Sequence, residues 1–184
     1  MVDQLNNIFS WGLSQAHLLL PLAIAVWIAW GDIRTYRIPN YLTLGTALAG
    51  LLFQAALHGF NGVGSGLLGL ALGFSLMFPV YLLGGMGAGD VKALAALGTW
   101  LGPGLTLMLF CYMVVAGGLM GLGVLIYKKL LWSKLRVHWS YLVSWILFRP
   151  TGLAPGPAPK AEVQGIPYGV AIAVGMVALF WRGG

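Results

Sequence analysis

The sequence is nearly without acid. Among its 184 residues only Asp3, Asp32, Asp90 and Glu162 carry a side-chain carboxylate, against ten Lys and Arg. Charged residues of both signs make up 8% of the chain and hydrophobic ones 59%, where a soluble domain carries about 25% charged residues. That scarcity excludes an ordinary soluble fold and leaves an integral membrane protein. Cysteine is missing but for Cys111, which lies within an apolar run and is expected to be buried. A disulfide framework and a Cys-rich zinc site are thereby excluded. The three histidines, His17, His58 and His138, fall in separate regions without ligand spacing, so neither a metal nor a cofactor is expected. The net charge of +6 would suggest nucleic acid in a soluble chain. Here the basic residues stand between apolar runs, where they orient a chain in a membrane instead, and no nucleic acid is expected as a partner.

What the chain does have is apolar runs. They predict an all-α integral membrane fold, a single domain over residues 1–184 with six transmembrane helices at about 13–30, 41–57, 64–83, 90–101, 105–127 and 166–181. The first run has no Lys or Arg before Arg34, so it lacks the basic start of a cleaved signal peptide and is read as a retained helix. Turns are expected at His58–Gly62 and Gly102–Gly104, and Pro39 with Asn40 is expected to start the second helix. The fourth run is short, about 16 Å of helix from Val91 onward, less than a full crossing. Either it starts among the preceding glycines or it begins below the membrane surface, and both draw Asp90 toward the lipid. Gly64–Gly69 spells GxGxxG, yet no strand precedes it as a nucleotide fold requires. Small residues four apart, Gly69 with Gly73 and Gly117 with Gly121, suit close helix contact instead. Trp11, Trp30, Trp100 and Trp181 fall near run ends, where an aromatic belt would place them. Residues 128–160 read as one long loop with a basic start, an interfacial helix over 138–148 and a Pro-rich linker.

The distribution of cations sets the topology. The connections after the first, third and fifth runs, with their flanks, hold nine Lys and Arg, and the opposite side holds only Arg182. The positive-inside rule then puts both termini outside and both Asp32 and Asp90 on the cytoplasmic side. Ionisable groups at lipid level cost a few kcal/mol, and such groups mark function by default. Asp90 could simply cap the fourth helix, but Lys92 in the same first turn opposes the helix dipole and wants another partner. Asp32 ends the first helix, where a negative charge is unfavourable unless compensated, and Arg34 and Arg37 are the nearest compensating charges. Two carboxylates side by side cannot both ionise cheaply, so one keeps a proton while the other accepts one. That is the equipment of an aspartic protease, needing no nucleophilic Ser, Cys or metal. Lys92 or Arg34 would help keep one proton off the pair.

Three stretches carry a resemblance: Asp32-Ile33-Arg34 through Ile38-Pro39-Asn40, the GxGD run Gly87-Ala88-Gly89-Asp90 with Val91-Lys92, and Ile166-Pro167-Tyr168-Gly169. Together, in this order, they resemble the motif set of prepilin peptidases, the membrane aspartic proteases of type IV pilus systems. The resemblance implies Asp32 and Asp90 as the catalytic pair, with Gly87, Gly89, Lys92, Arg34, Pro39, Asn40, Pro167, Tyr168 and Gly169 supporting the site. It further implies a prepilin or pseudopilin substrate whose basic leader is cut at the cytoplasmic face of a bacterial or archaeal inner membrane, with pilus or secretion assembly machinery as partner. Larger members of that family carry a cytoplasmic insert with paired cysteines and an N-methyltransferase activity between their first two spans. Here that connection is only Gly31 to Asn40 and no CxxC occurs, which resembles the short members of tight-adherence pilus systems and implies cleavage without methylation. Two other classes compete: a small carrier that binds a cation between the two acids, and a non-catalytic membrane subunit of a pilus assembly platform.

Overall fold

The computed structural model describes residues 2–35, 37–127 and 168–183, with 132, 136, 139 and 143 between them, and side chains from Leu18 onward. Four helices make up most of these residues: α1 (Val2–Thr35), α2 (Asn40–Leu82), α3 (Ala88–Tyr127) and α4 (Tyr168–Gly183). Leu18–Thr35 of α1, all of α2 and all of α3 are long and apolar enough to cross a membrane, and Tyr168–Arg182 is apolar but shorter. The chain is therefore a multi-pass membrane protein. The interfacial helix expected over 138–148 and the Pro-rich linker lie outside the described residues, except that Trp139 and Val143 are helical.

At 1.5 Å per residue α2 and α3 would each run about 60 Å, roughly twice the hydrocarbon thickness of a bilayer. Neither is straight. Gly59 interrupts α2 at φ 59°, ψ −142°, and Gly102 interrupts α3 at φ 69°, ψ 176°. Side chains other than glycine rarely adopt such φ values, so each glycine supplies a reversal, inside the two turns the sequence predicts. Packing contacts give the directions of the four arms. Along α2, Asn40 meets Lys92 and Gln54 meets the carbonyl of Trp100, so the first arm runs parallel to the start of α3. The second arm runs back, with Ser65 beside Gly102 and Gly73 beside Leu94. Beyond Gly102, α3 returns alongside α4, Gly175 against Leu109 and Gly117 against Tyr168.

Boundaries shift modestly from the predicted ones. The second arm of α2 resumes directly after Gly59 instead of at 64, and α3 begins at Ala88, among the glycines. Pro39 takes the position before the first helical residue of α2, with φ −65° and ψ 139°, and its carbonyl accepts from the Leu42 and Thr43 amides at 3.1 and 3.3 Å.

The short arm 88–101 is the centre of the molecule. From Asp90 to Gly102 every residue but Lys92 is buried, as expected of a helix apolar on all sides. Its neighbours, not lipid, cover it, so its short length leaves no apolar surface mismatched to a bilayer. Close approach of backbones makes the cover possible. A Cβ on Gly98 would collide with the carbonyl of Gly69, and one on Gly73 would lie 2.9 Å from the Leu94 carbonyl oxygen. Within the GxGxxG run, Gly66 and Gly69 thus lie on a helix-packing face, against Thr99 and Gly98, while Gly64 stands clear of it. At the far end the indole N–H of Trp100 donates to the Thr46 carbonyl at 2.9 Å, and Nε2 of Gln54 donates to the Trp100 carbonyl at 2.8 Å. Trp100 is accordingly a core residue, 6% exposed, and not part of an aromatic belt, whereas Trp30 and Trp181 lie on the outside. Cys111 also departs from expectation and lies on the outer surface of α3.

Candidate active site

Four helix ends meet at one end of the bundle: the last turn of α1 and the first turns of α2, α3 and α4. Asp32 lies in the last turn of α1 and Asp90 at the third residue of α3, and both side chains are buried, 6% and 8% exposed. They come from opposite sides of a 58-residue separation in sequence yet stand close enough for the charge of Asp32 to act directly on Asp90.

Asp32 begins in an unfavourable position, since the C-terminal end of α1 carries the negative pole of its dipole. The compensation does not come from Arg34 or Arg37, the partners suggested by the sequence. Arg34 instead stacks over the Trp30 ring at 4.6 Å from its centroid, and among the described residues no ion pair joins Asp32 to either arginine. What compensates Asp32 is α4. The backbone N–H of Gly169, in the first turn of that helix, donates to Oδ2 of Asp32 at 2.8 Å, where unpaired amides and the positive pole of a helix favour an anion. A side chain at Gly169 would not fit, because a Cβ there would lie 2.9 Å from both Cβ and Oδ2 of Asp32.

Asp90 is held from its own chain neighbourhood. It is not the residue before the helix, as simple capping would have it, but reaches back from the first turn so that Oδ2 accepts the Gly87 N–H at 3.2 Å. This is the return half of a capping box, made with Asp in place of the usual Glu. Gly89 lets Ile38 of the α1–α2 connection approach, since a Cβ would stand 3.1 Å from that of Ile38. Ile38 in this role was not legible from composition, although it lies inside the first motif. Tyr168 sits half-buried with its ring against Gly117 and within electrostatic reach of Asp90.

The remaining sequence-predicted residues divide. The Nζ of Lys92 donates to Oδ1 of Asn40 at 3.0 Å, a partner from α2 for the charge that its place in a first turn leaves unmatched. Pro39 fixes the start of α2 and so the position of Asn40. Pro167 lies outside the described residues. No group of three or more His, Cys, Asp or Glu that could hold a metal occurs among the described residues. The arrangement is two buried carboxylates, each restrained by one glycine amide, at a level where helix ends meet. Such a pair can share one proton and act as base and acid on a water and a carbonyl placed between them.

A model of the Type IV leader peptidase family matches residues 19–122, more than half the chain and a stretch that contains both Asp32 and Asp90. A prepilin leader peptidase/N-methyltransferase of Aeromonas hydrophila is 33% identical over 126 residues, which is 65% of this chain and 42% of the relative. One from Dickeya chrysanthemi is 38% identical over 98 residues, 50% of this chain and 34% of the relative. The chain thus spans about two fifths or less of the length of the curated relatives it matches. No solved structure matches it.

Proposed function

Because the chain belongs to the type IV leader peptidase family, we propose that it is a membrane aspartic endopeptidase that removes the basic leader of type IV prepilins or pseudopilins. The observation that carries this reading is the meeting of buried Asp32 and Asp90 at one end of the bundle. In the reaction one carboxylate is ionised and draws a proton from a water. That water attacks the scissile carbonyl while the protonated partner donates a hydrogen bond to the carbonyl oxygen. Collapse of the tetrahedral intermediate breaks the C–N bond, and a carboxyl proton passes to the leaving amine. The amides of Gly169 and Gly87 hold the two groups in place, so the residues need little reorganisation during the reaction.

In this reading each of the six helical arms is a membrane span, residues 1–184 form a single peptidase domain, and both termini face outward. The excess of Lys and Arg in the connections on the site's side then places the carboxylates at the cytoplasmic face of the inner membrane. Methylation is not part of the proposed activity. The connection between α1 and α2 is only residues 36–39, too short for a second active site, and Cys111 is the sole cysteine. A carrier would hold its acids near mid-depth between structural repeats. Here both sit at helix ends, which favours the peptidase.

Incubation of the purified chain in detergent with a prepilin, followed by mass analysis of the product, tests the reading. The expected result is loss of the leader with no methyl group added to the new N-terminus. An intact prepilin would refute the peptidase, and a methylated product would refute the restricted activity.

A further inference from the structure

Lys92 is the one exposed residue in the otherwise buried stretch from Asp90 to Gly102. Beside its contact with Asn40, a groove of about 580 Å³ opens between the two arms of α2 and the start of α3, walled by Leu44, Ala47, Leu70 and Phe74. Cation and amide stand at one end of the groove, and the walls beyond them are apolar. Positions two apart on a helix do not share a face, so Lys92 and Asp90 look to different sides of α3. Lys92 reaches Asn40 of α2 and lines the groove, which neither Asp32 nor Asp90 does, so groove and carboxylates lie on different sides of α3.

We propose that this groove binds one anionic phospholipid, its phosphate at Lys92 and Asn40 and an acyl chain along Leu44, Ala47, Leu70 and Phe74. The groove opens on the outer surface of a multi-pass membrane protein, where Leu44 is 63% and Phe74 43% exposed. Hydrocarbon is the medium available to fill it. Lys92 lies at the end of the bundle where α1 stops and α2, α3 and α4 start, the depth at which headgroups begin, and basic pockets between helices at that level bind anionic lipid. With Oδ1 of Asn40 accepting from Lys92, the amide nitrogen of Asn40 remains as a second donor to the same phosphate. A peptide with its scissile bond at Asp32 and Asp90 would have to pass around α3 to reach Lys92, so the site fits a lipid better than a substrate.

Native mass spectrometry of the purified full chain, titrated with phosphatidylglycerol or with phosphatidylcholine of the same acyl chains, tests the site independently of any cleavage. The wild type is expected to hold phosphatidylglycerol about fivefold more tightly, the effect of one cation beside an anionic headgroup. Lys92→Gln should remove that preference, Lys92→Arg should keep it, and Ala47→Phe should weaken both lipids by narrowing the groove. Equal binding of the two lipids by the wild type, or an undiminished preference in Lys92→Gln, overturns the proposal. So does a result in which neither lipid binds while an apolar peptide bearing one carboxylate does so in a Lys92-dependent way.

Discussion

The amide of Gly169 donates a 2.8 Å hydrogen bond to Oδ2 of Asp32, tying the first turn of α4 to the last turn of α1 across 137 positions of sequence. This bond resolves a local conflict, a carboxylate at the wrong end of a helix, by borrowing the right end of another. It also restrains the buried Asp32 carboxylate at one oxygen.

Gly169→Ala is therefore expected to damage activity out of proportion to its size. The new methyl group would lie 2.9 Å from Asp32, and displacing a reacting group by about 1 Å costs on the order of 10²-fold. Leader-cleavage rates should fall by about that factor while the melting temperature in detergent changes little. A rate within twofold of wild type would show that the contact does not position Asp32.

At Gly59 the effect should be one of stability. No heavy atom lies within 4 Å of a Cβ placed there, yet φ is +59°. Gly59→Ala should thus cost about 1–3 kcal/mol through backbone strain alone, read as a lowered midpoint in thermal or denaturant unfolding. Gly64 has equally open surroundings and an ordinary φ, so Gly64→Ala should be neutral or slightly stabilising by helix propensity.

The contact between α2 and α3 makes a third case. Gly98→Ala puts a methyl group into the Gly69 carbonyl, which only a backbone shift can relieve, and overpacking of this kind typically costs about 1–3 kcal/mol. Both stability and cleavage should decline together, because the same helix carries Asp90. Loss of cleavage with unchanged stability would place the fault elsewhere.

Two carboxylates that share a proton predict a rate that falls at both extremes of pH. At low pH the pair takes up a second proton and no base is left to activate water; at high pH the shared proton departs and no acid is left for the leaving amine. A cleavage rate that rises to a plateau and never falls would be inconsistent with both groups acting.

Much of this fold was legible in the sequence, and the reasons differ by residue. Gly59 and Gly102 could be found because a reversal between apolar runs needs a residue free to adopt positive φ, and such residues stand out. Asp32 and Asp90 could be placed at one end of the bundle because the number of crossings between them fixes the side, whatever the packing. Neither the Gly169 amide as the partner of Asp32 nor the Asn40 side-chain oxygen as the partner of Lys92 leaves such a mark. Backbone donors have no sequence signature, and a Lys at a first turn announces the lack of a local partner without naming the distant one. Trp100 misled for a related reason. Its run ends where a belt residue would sit, but the run is the buried centre of the bundle, and only the neighbours around a helix decide whether its end is exposed.

The central claim is that Asp32 and Asp90 act as one catalytic unit, and Asp32→Asn and Asp90→Asn, each assayed for prepilin leader removal, test it most directly. Asparagine keeps the shape of the side chain and its acceptor for the Gly169 or Gly87 amide but can neither take nor give the proton. Each variant is expected to stay folded and to lose cleavage entirely, with the double variant no worse than either. Leader removal at the wild-type rate by either variant would contradict the account.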